Sequence, residues 1–126
     1  MIPLFVILCV LMGSTSSLYG FDNAHLSQLK NTNNCRKCDL TNANLTNASL
    51  MSADLTGADL SGANLTNAYL YLANLTNANI ENANLTNAHL YGALLKGVKM
   101  TGANLIGATW TSGTRCRQQS IGKCEK

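Results

Sequence analysis

Residues 38–67 read CDLTN-ANLTN-ASLMS-ADLTG-ADLSG-ANLTN, a phrase that restarts every five residues. The same phase continues through AYLYL, ANLTN, ANIEN, ANLTN, AHLYG, ALLKG, VKMTG, ANLIG and ATWTS to residue 112. The third residue of each pentad is its centre. The fifteen centres run from Leu40 in steps of five to Trp110; twelve are Leu, and the rest are Ile80, Met100 and Trp110. The first position is Ala thirteen times, with Cys38 and Val98 as exceptions. No insertion or deletion breaks the phase.

A period of five fits neither regular element. On a 3.6-residue helix the centres would spread around the whole circumference and leave no apolar stripe. Along a flat strand they would alternate between faces, because the strand period is two. A coil that turns a corner every five residues resolves both problems. The centre and the Ala two residues before it then point inward, and the corner resets the phase. Small Ala lets the walls approach while Leu fills the space between them. The other three positions face water, and the Asn, Gly and Ser at the fifth position suit corners.

This pattern resembles the pentapeptide-repeat family, whose motif is A-[DN]-L-x-x. The resemblance covers residues 38–112, with 33–37 as a degenerate lead-in. It implies an all-β fold, a right-handed quadrilateral β-helix with about twenty residues per coil and therefore somewhat under four coils. Some members of the family bind DNA gyrase by imitating DNA. Here the repeats hold Asp39, Asp54, Asp59 and Glu81 against Lys96 and Lys99, a net charge of −2 (two minus four). An intracellular gyrase-binding DNA mimic is therefore kept only as a minor alternative.

Four segments are expected. Residues 1–20 carry no charged side chain, and an apolar run gives way to Gly13, Ser14, Thr15, Ser16 and Ser17. The run is too short to span a bilayer and reads as a secretory signal peptide cleaved after Gly20 or Ser17. The competing reading is an uncleaved membrane anchor. Residues 21–37 form an N-terminal cap: a short helix over 21–30 with Asp22 as N-cap and Phe21 and Leu26 as a hydrophobic staple. Residues 38–112 are the solenoid, with Leu45, Leu65, Leu85, Leu105 and Trp110 in its core and Trp110 plugging the last coil. Residues 113–126 are a polar, basic C-terminal cap or tail.

Cleavage would remove Cys9 and leave four cysteines, an even number that in an exported chain reads as disulfides. Cys35 and Cys38 lie at one end of the expected stack, and Cys116 and Cys124 at the other. A disulfide needs Cα atoms within about 7 Å, so the local pairs Cys35–Cys38 and Cys116–Cys124 are expected. The alternative function uses Cys35 and Cys38 as a redox pair, with Arg36 and Lys37 favouring a thiolate, or as half of a metal site that would need two further ligands.

Composition narrows the function classes. The chain has 126 residues, a net charge of +3, 12% charged residues and 6% aromatics. No dense basic stripe with stacking aromatics is present, so nucleic acid is not an expected partner. His25 and His89 build no catalytic triad, and no phosphate loop or dinucleotide fingerprint appears. The chain is expected to be non-enzymatic, without cofactor, without stable membrane insertion once the leader is gone, and exported to a bacterial periplasm or beyond.

Sorting pentads at twenty-residue spacing gives one local clue. Centres 45, 65, 85 and 105 carry a polar ladder, Asn44, Asn64, Asn84 and Asn104 beside Thr46, Thr66 and Thr86. Centres 50, 70, 90 and 110 bring Met51, Tyr71 and Tyr91 into one outward column, Tyr69 and His89 into the next, and Leu72 to a corner. Grouped exposed apolar surface marks contact surfaces, and tyrosine is favoured in them. This side is expected to dock an unknown protein partner or a second copy.

Overall fold

A computed structural model describes residues 21–126. The expected leader and Cys9 lie outside the described residues. From Asn34 onward each pentad pairs in parallel with the pentad twenty residues later, as in Asn44 with Asn64, Asn64 with Asn84, and Asn84 with Asn104. The chain is thus a parallel β-solenoid with four pentads to a coil. Its centres fall into four columns, named here by their lowest members: Cys35, Leu40, Leu45 and Leu50. The lead-in 33–37 is a true pentad, because Cys35 occupies a centre position and is fully buried.

One pentad shows why the period is five. The Leu45 N–H donates to the Asn64 carbonyl at 2.8 Å, the Asn47 N–H to Thr66 at 2.9 Å, and the Asn64 N–H to Ala43 at 2.9 Å. A turn closes between them, with the Ala48 N–H on the Leu45 carbonyl at 3.0 Å. The fifth residue takes a left-handed φ in every pentad from Lys37 to Gly107. Asn and Gly tolerate that region where most side chains strain, which accounts for their recurrence there. The second-position Asn or Asp steadies the turn. Asn64 Oδ1 accepts from the Thr66 hydroxyl at 2.6 Å and the Thr66 N–H at 3.1 Å. Asp54 makes the same bonds to Thr56 and faces Arg36 at 3.1 Å. The Thr56 hydroxyl is the main cause that holds the Asp54 carboxyl below its ordinary pKa, and the Thr56 N–H and Arg36 add to it.

Leu45, Leu65, Leu85 and Leu105 are buried, and so are the first-position Ala residues from Ala43 to Ala93, Ala48 excepted. Trp110 corrects the expectation: it is only half-buried and packs against the edge of the core. No further coil lies beyond it. The chain instead turns back, with the Gly113 N–H on the Trp110 carbonyl and the Trp110 N–H on Thr114, and the indole is left at the rim.

Each end is capped over two of the four columns. At the N-terminal end helix α1, Asn23–Thr32, is capped by Asp22, whose side chain accepts from the Ala24 N–H at 2.8 Å. It runs two residues past the expected end and stops at Asn33, which adopts the left-handed conformation and donates its N–H to Leu29. Leu29 is buried and seals the shaft, with Phe21 and Leu26 half-buried beside it. The helix also satisfies the first coil's backbone. His25 Nδ1 accepts the Asp39 N–H at 2.9 Å, the Asp22 N–H donates to the Asp39 carbonyl, and Gln28 Nε2 donates to the Asn34 carbonyl. At the far end the tail folds back antiparallel, pairing Arg115 with Thr109 and Ile121 with Asn104.

Candidate functional site

The structure brings three of the expected surface residues into one ring cluster on the Leu50 column. The His89 ring lies 5.1 Å from Tyr69 and 5.5 Å from Tyr71, at interplanar angles of 9° and 15°. Tyr69 and Tyr71 are themselves 6.4 Å apart. The solenoid supplies this geometry: residues 69 and 89 are ladder partners one coil apart, and Tyr71 leaves the backbone on the same side two residues on. Tyr71 therefore leans across to the neighbouring row of side chains and stacks on His89. Near-parallel rings at these separations are favourable.

The other expected residues border this cluster. Met51 and Tyr91 are each 54% exposed and Leu72 is 62% exposed. Tyr91 lies beside Gly113, where an added Cβ would stand 3.5 Å from its ring. Met51 lies at the other end of the row, its carbonyl accepting from Asn33 Nδ2 at 2.7 Å. Sequence reasoning missed Leu94, which is 56% exposed and holds the second position of the pentad 93–97. The signal was available, because Leu94 occupies an outward position that most pentads give to Asn or Asp.

Leu72 is the anomaly. Its φ is +57°, so a large branched side chain occupies a corner that other pentads give mostly to Asn, Gly or Ser. Left-handed backbone costs a residue of this kind about 1 kcal/mol, and the side chain gains little burial in return. Strain held without a packing reason is a mark of functional surface. Leu72→Asn is expected to raise stability by about 1 kcal/mol, read as a higher melting temperature.

The polar ladder behaves differently. The Thr46, Thr66 and Thr86 hydroxyls each donate to the Asn of their own pentad at 2.6–2.8 Å. Charge is segregated as well. All six charged side chains of residues 38–112 lie on the Cys35 and Leu40 columns, with acids toward the N-terminal end and Lys96 and Lys99 in the last coil. The Leu45 and Leu50 columns carry no charged side chain other than His89 when protonated.

The cysteines stand at the two ends. Cys35 is bridged to Cys38, with Cα atoms 5.2 Å apart, and Cys116 to Cys124, with Cα atoms 5.1 Å apart. Cys35, Cys38 and Cys116 are buried. Among the described residues no group of three or more His, Cys, Asp or Glu is placed to hold a metal ion. No described helix is long and apolar enough to cross a membrane.

A filled core and a register of twenty residues define a parallel β-solenoid. The family model for pentapeptide repeats matches residues 34–70 and 73–109 in eight copies, and the chain belongs to the pentapeptide-repeat family. Proteins of this family form right-handed β-helices and are generally structural or interaction proteins. Among solved structures, the chain is similar to a pentapeptide repeat protein of the Arabidopsis thaliana thylakoid lumen. The identity is 43%, over 60% of this chain and 52% of that one, with a TM-score of 0.59. It is also similar to Rfr23 of the cyanobacterium Cyanothece 51142, at 39% identity over 56% and 52%, with a TM-score of 0.48. The chain spans about half the length of these relatives. No curated protein matches it.

Proposed function

We propose that this protein is a non-enzymatic, exported solenoid of square cross-section whose Leu50-column side docks a protein partner or a second copy of itself. The observation that carries the proposal is the ring cluster Tyr69–His89–Tyr71, flanked by exposed Met51, Leu72 and Tyr91 on a column whose repeat residues include no carboxylate, lysine or arginine. Aromatic rings give large contact area at low entropic cost, and such residues dominate binding at interfaces. The solenoid supplies rigidity, so the rings are held in place before a partner arrives.

Export has two supports. Both cysteine pairs are bridged, as suits an oxidising compartment. One similar solved structure belongs to a thylakoid-lumen protein, and that lumen is reached by export. A structural staple is favoured over redox or metal chemistry at Cys35 and Cys38, because both sulfurs sit in the buried base of the shaft, closed to an attacking thiolate.

The test is the double substitution Tyr71→Ser with Tyr91→Ser. Tyr91 is exposed and Tyr71 is half-buried in the ring stack, so the melting temperature is expected to fall by a few degrees with the fold intact. Self-association measured by sedimentation, or capture of a partner from the cell envelope, is expected to fall at least about tenfold, since aromatic anchors contribute about 2 kcal/mol each. An unchanged oligomeric state together with an unchanged set of captured partners overturns the proposal.

A further inference from the structure

The two caps cover opposite halves of the stack, and the uncovered half of the C-terminal end has a definite chemistry. Within the stack each pentad sends two N–H groups and one carbonyl toward the next coil, as Leu45, Asn47 and Ala43 do. In the last coil the tail answers these groups on the Leu45 and Leu50 columns. Ser120 accepts from Leu105, Cys116 accepts from Gly107 and donates to Ala108, and Gly122 donates to Ala103. Over residues 93–102 no backbone group bonds to them, and the tail reaches only the last corner, where Gly122 stands beside Thr101 and Gly102. Among the described residues, the N–H groups of Leu95, Gly97 and Met100 and the carbonyls of Ala93 and Val98 have no partner.

That edge borders a half-open floor. Leu95, Val98 and Met100 are half-buried, whereas Leu75, Ala78 and Ile80 one coil below are fully buried. Exposed Leu94 stands beside it. The ten residues include Lys96 and Lys99, both exposed, and no carboxylate.

We infer that residues 93–102 form a docking edge for an extended acidic segment of another polypeptide, which adds as the next half-coil. The unpaired ladder requires a strand. The half-open floor takes an apolar side chain at each centre position. Lys96 and Lys99 select Asp or Glu at the outward positions. Strand addition of this kind draws affinity from backbone bonds and specificity from alternate side chains.

A second copy fits poorly. Its own free ladder lies at the N-terminal end on the Leu45 and Leu50 columns, where the N–H and carbonyl groups of Asn44 and Ser49 are unpaired. Laying that ladder on residues 93–102 needs a half-turn about the stack axis. The half-turn drives helix α1 of one copy against the tail of the other before the edges meet. Lysines at an open edge also blunt pairing between identical copies. This edge shares no residue with the aromatic cluster, so either surface can fail its test alone.

The probe is a fluorescein-labelled peptide, ADLDGADLDG, titrated at low ionic strength and followed by anisotropy. Saturable binding is expected, with the amides of Leu95, Gly97 and Met100 gaining protection from hydrogen exchange. The matching peptide AKLKGAKLKG is expected to bind at least about tenfold more weakly, and K96E/K99E is expected to reverse that preference, since two exposed ion pairs together amount to about tenfold. N-methylation of the acidic peptide's amides is expected to abolish binding. No saturable binding, equal binding of the two peptides, indifference to K96E/K99E or indifference to N-methylation each overturns the inference. Concentration-dependent self-association that K96E/K99E removes, without peptide binding, overturns it in favour of a second copy.

Discussion

Deleting Asn64 alone is expected to abolish folding, whereas deleting the twenty residues 63–82 is expected to leave a folded, shorter solenoid. The single deletion moves every later residue back one position in the coil. Leu65, Leu70, Leu75 and all later centres then leave the inward position, and their successors, such as Thr66, Tyr71, Glu81 and Lys96, take their place. Each buried Leu contributes about 2 kcal/mol, so losing even half of the ten downstream centres removes about 10 kcal/mol, as much as the 5–15 kcal/mol that holds a typical domain together. The long deletion instead joins Gly62 to Ala83. These residues meet at a pentad boundary, and Ala83 takes over the position of Ala63 one coil away, whose carbonyl accepts the Asn84 N–H at 2.9 Å. Stability falls by roughly one repeat's share, as in other stacked arrays. Circular dichroism and thermal melting distinguish the two variants. A folded single-deletion variant would show that the five-residue phase does not control the core.

Ending the chain at Ser112 is the second large perturbation. It removes the tail that bonds to Ala103, Leu105, Gly107, Ala108 and Trp110 and strips the cover from Leu105 and Trp110. Six lost backbone bonds at about 1 kcal/mol each, with Leu105 newly exposed, give about 8 kcal/mol of destabilisation. The bared edge also carries no charged side chain, unlike residues 93–102 with Lys96 and Lys99. Uncharged open edges invite association. A melting temperature lower by more than 10 °C, roughly the size expected for such a loss in a small domain, is expected together with light scattering at moderate concentration. A truncated chain that stays monomeric and melts near the parent temperature would show that the tail does not act as a cap.

The contrast between repeat and ends shows what the sequence could disclose. The core positions, the twenty-residue register and the inward Ala were legible because one steric demand recurs at every pentad, and any exception would break the phase. Cys35 was harder to place because its pentad, NNCRK, lacks the Ala and Leu that mark the others. The tail's role was not legible. Its pairing with Asn104 and Thr109 runs through backbone groups, which no side-chain pattern records. Trp110 misled because bulk suggests a plug, whereas the rim of a finite stack has no second wall to press against. On the aromatic side, counting by twenty put Tyr69 and His89 in register, but Tyr71 joining their stack depends on side-chain torsions that counting does not reach. Leu72 was visible as an apolar corner, yet its cost became clear only with its φ of +57°.

The arithmetic of the coil separates what the interior demands from what the exterior demands. Duplicating a single pentad would keep every leucine enclosed, yet it would carry all later residues around to the neighbouring column. The aromatic patch would then part company with whichever cap it now sits beside. A lineage can therefore lengthen such a chain in small steps without harming solubility, and still lose recognition until four insertions restore the alignment.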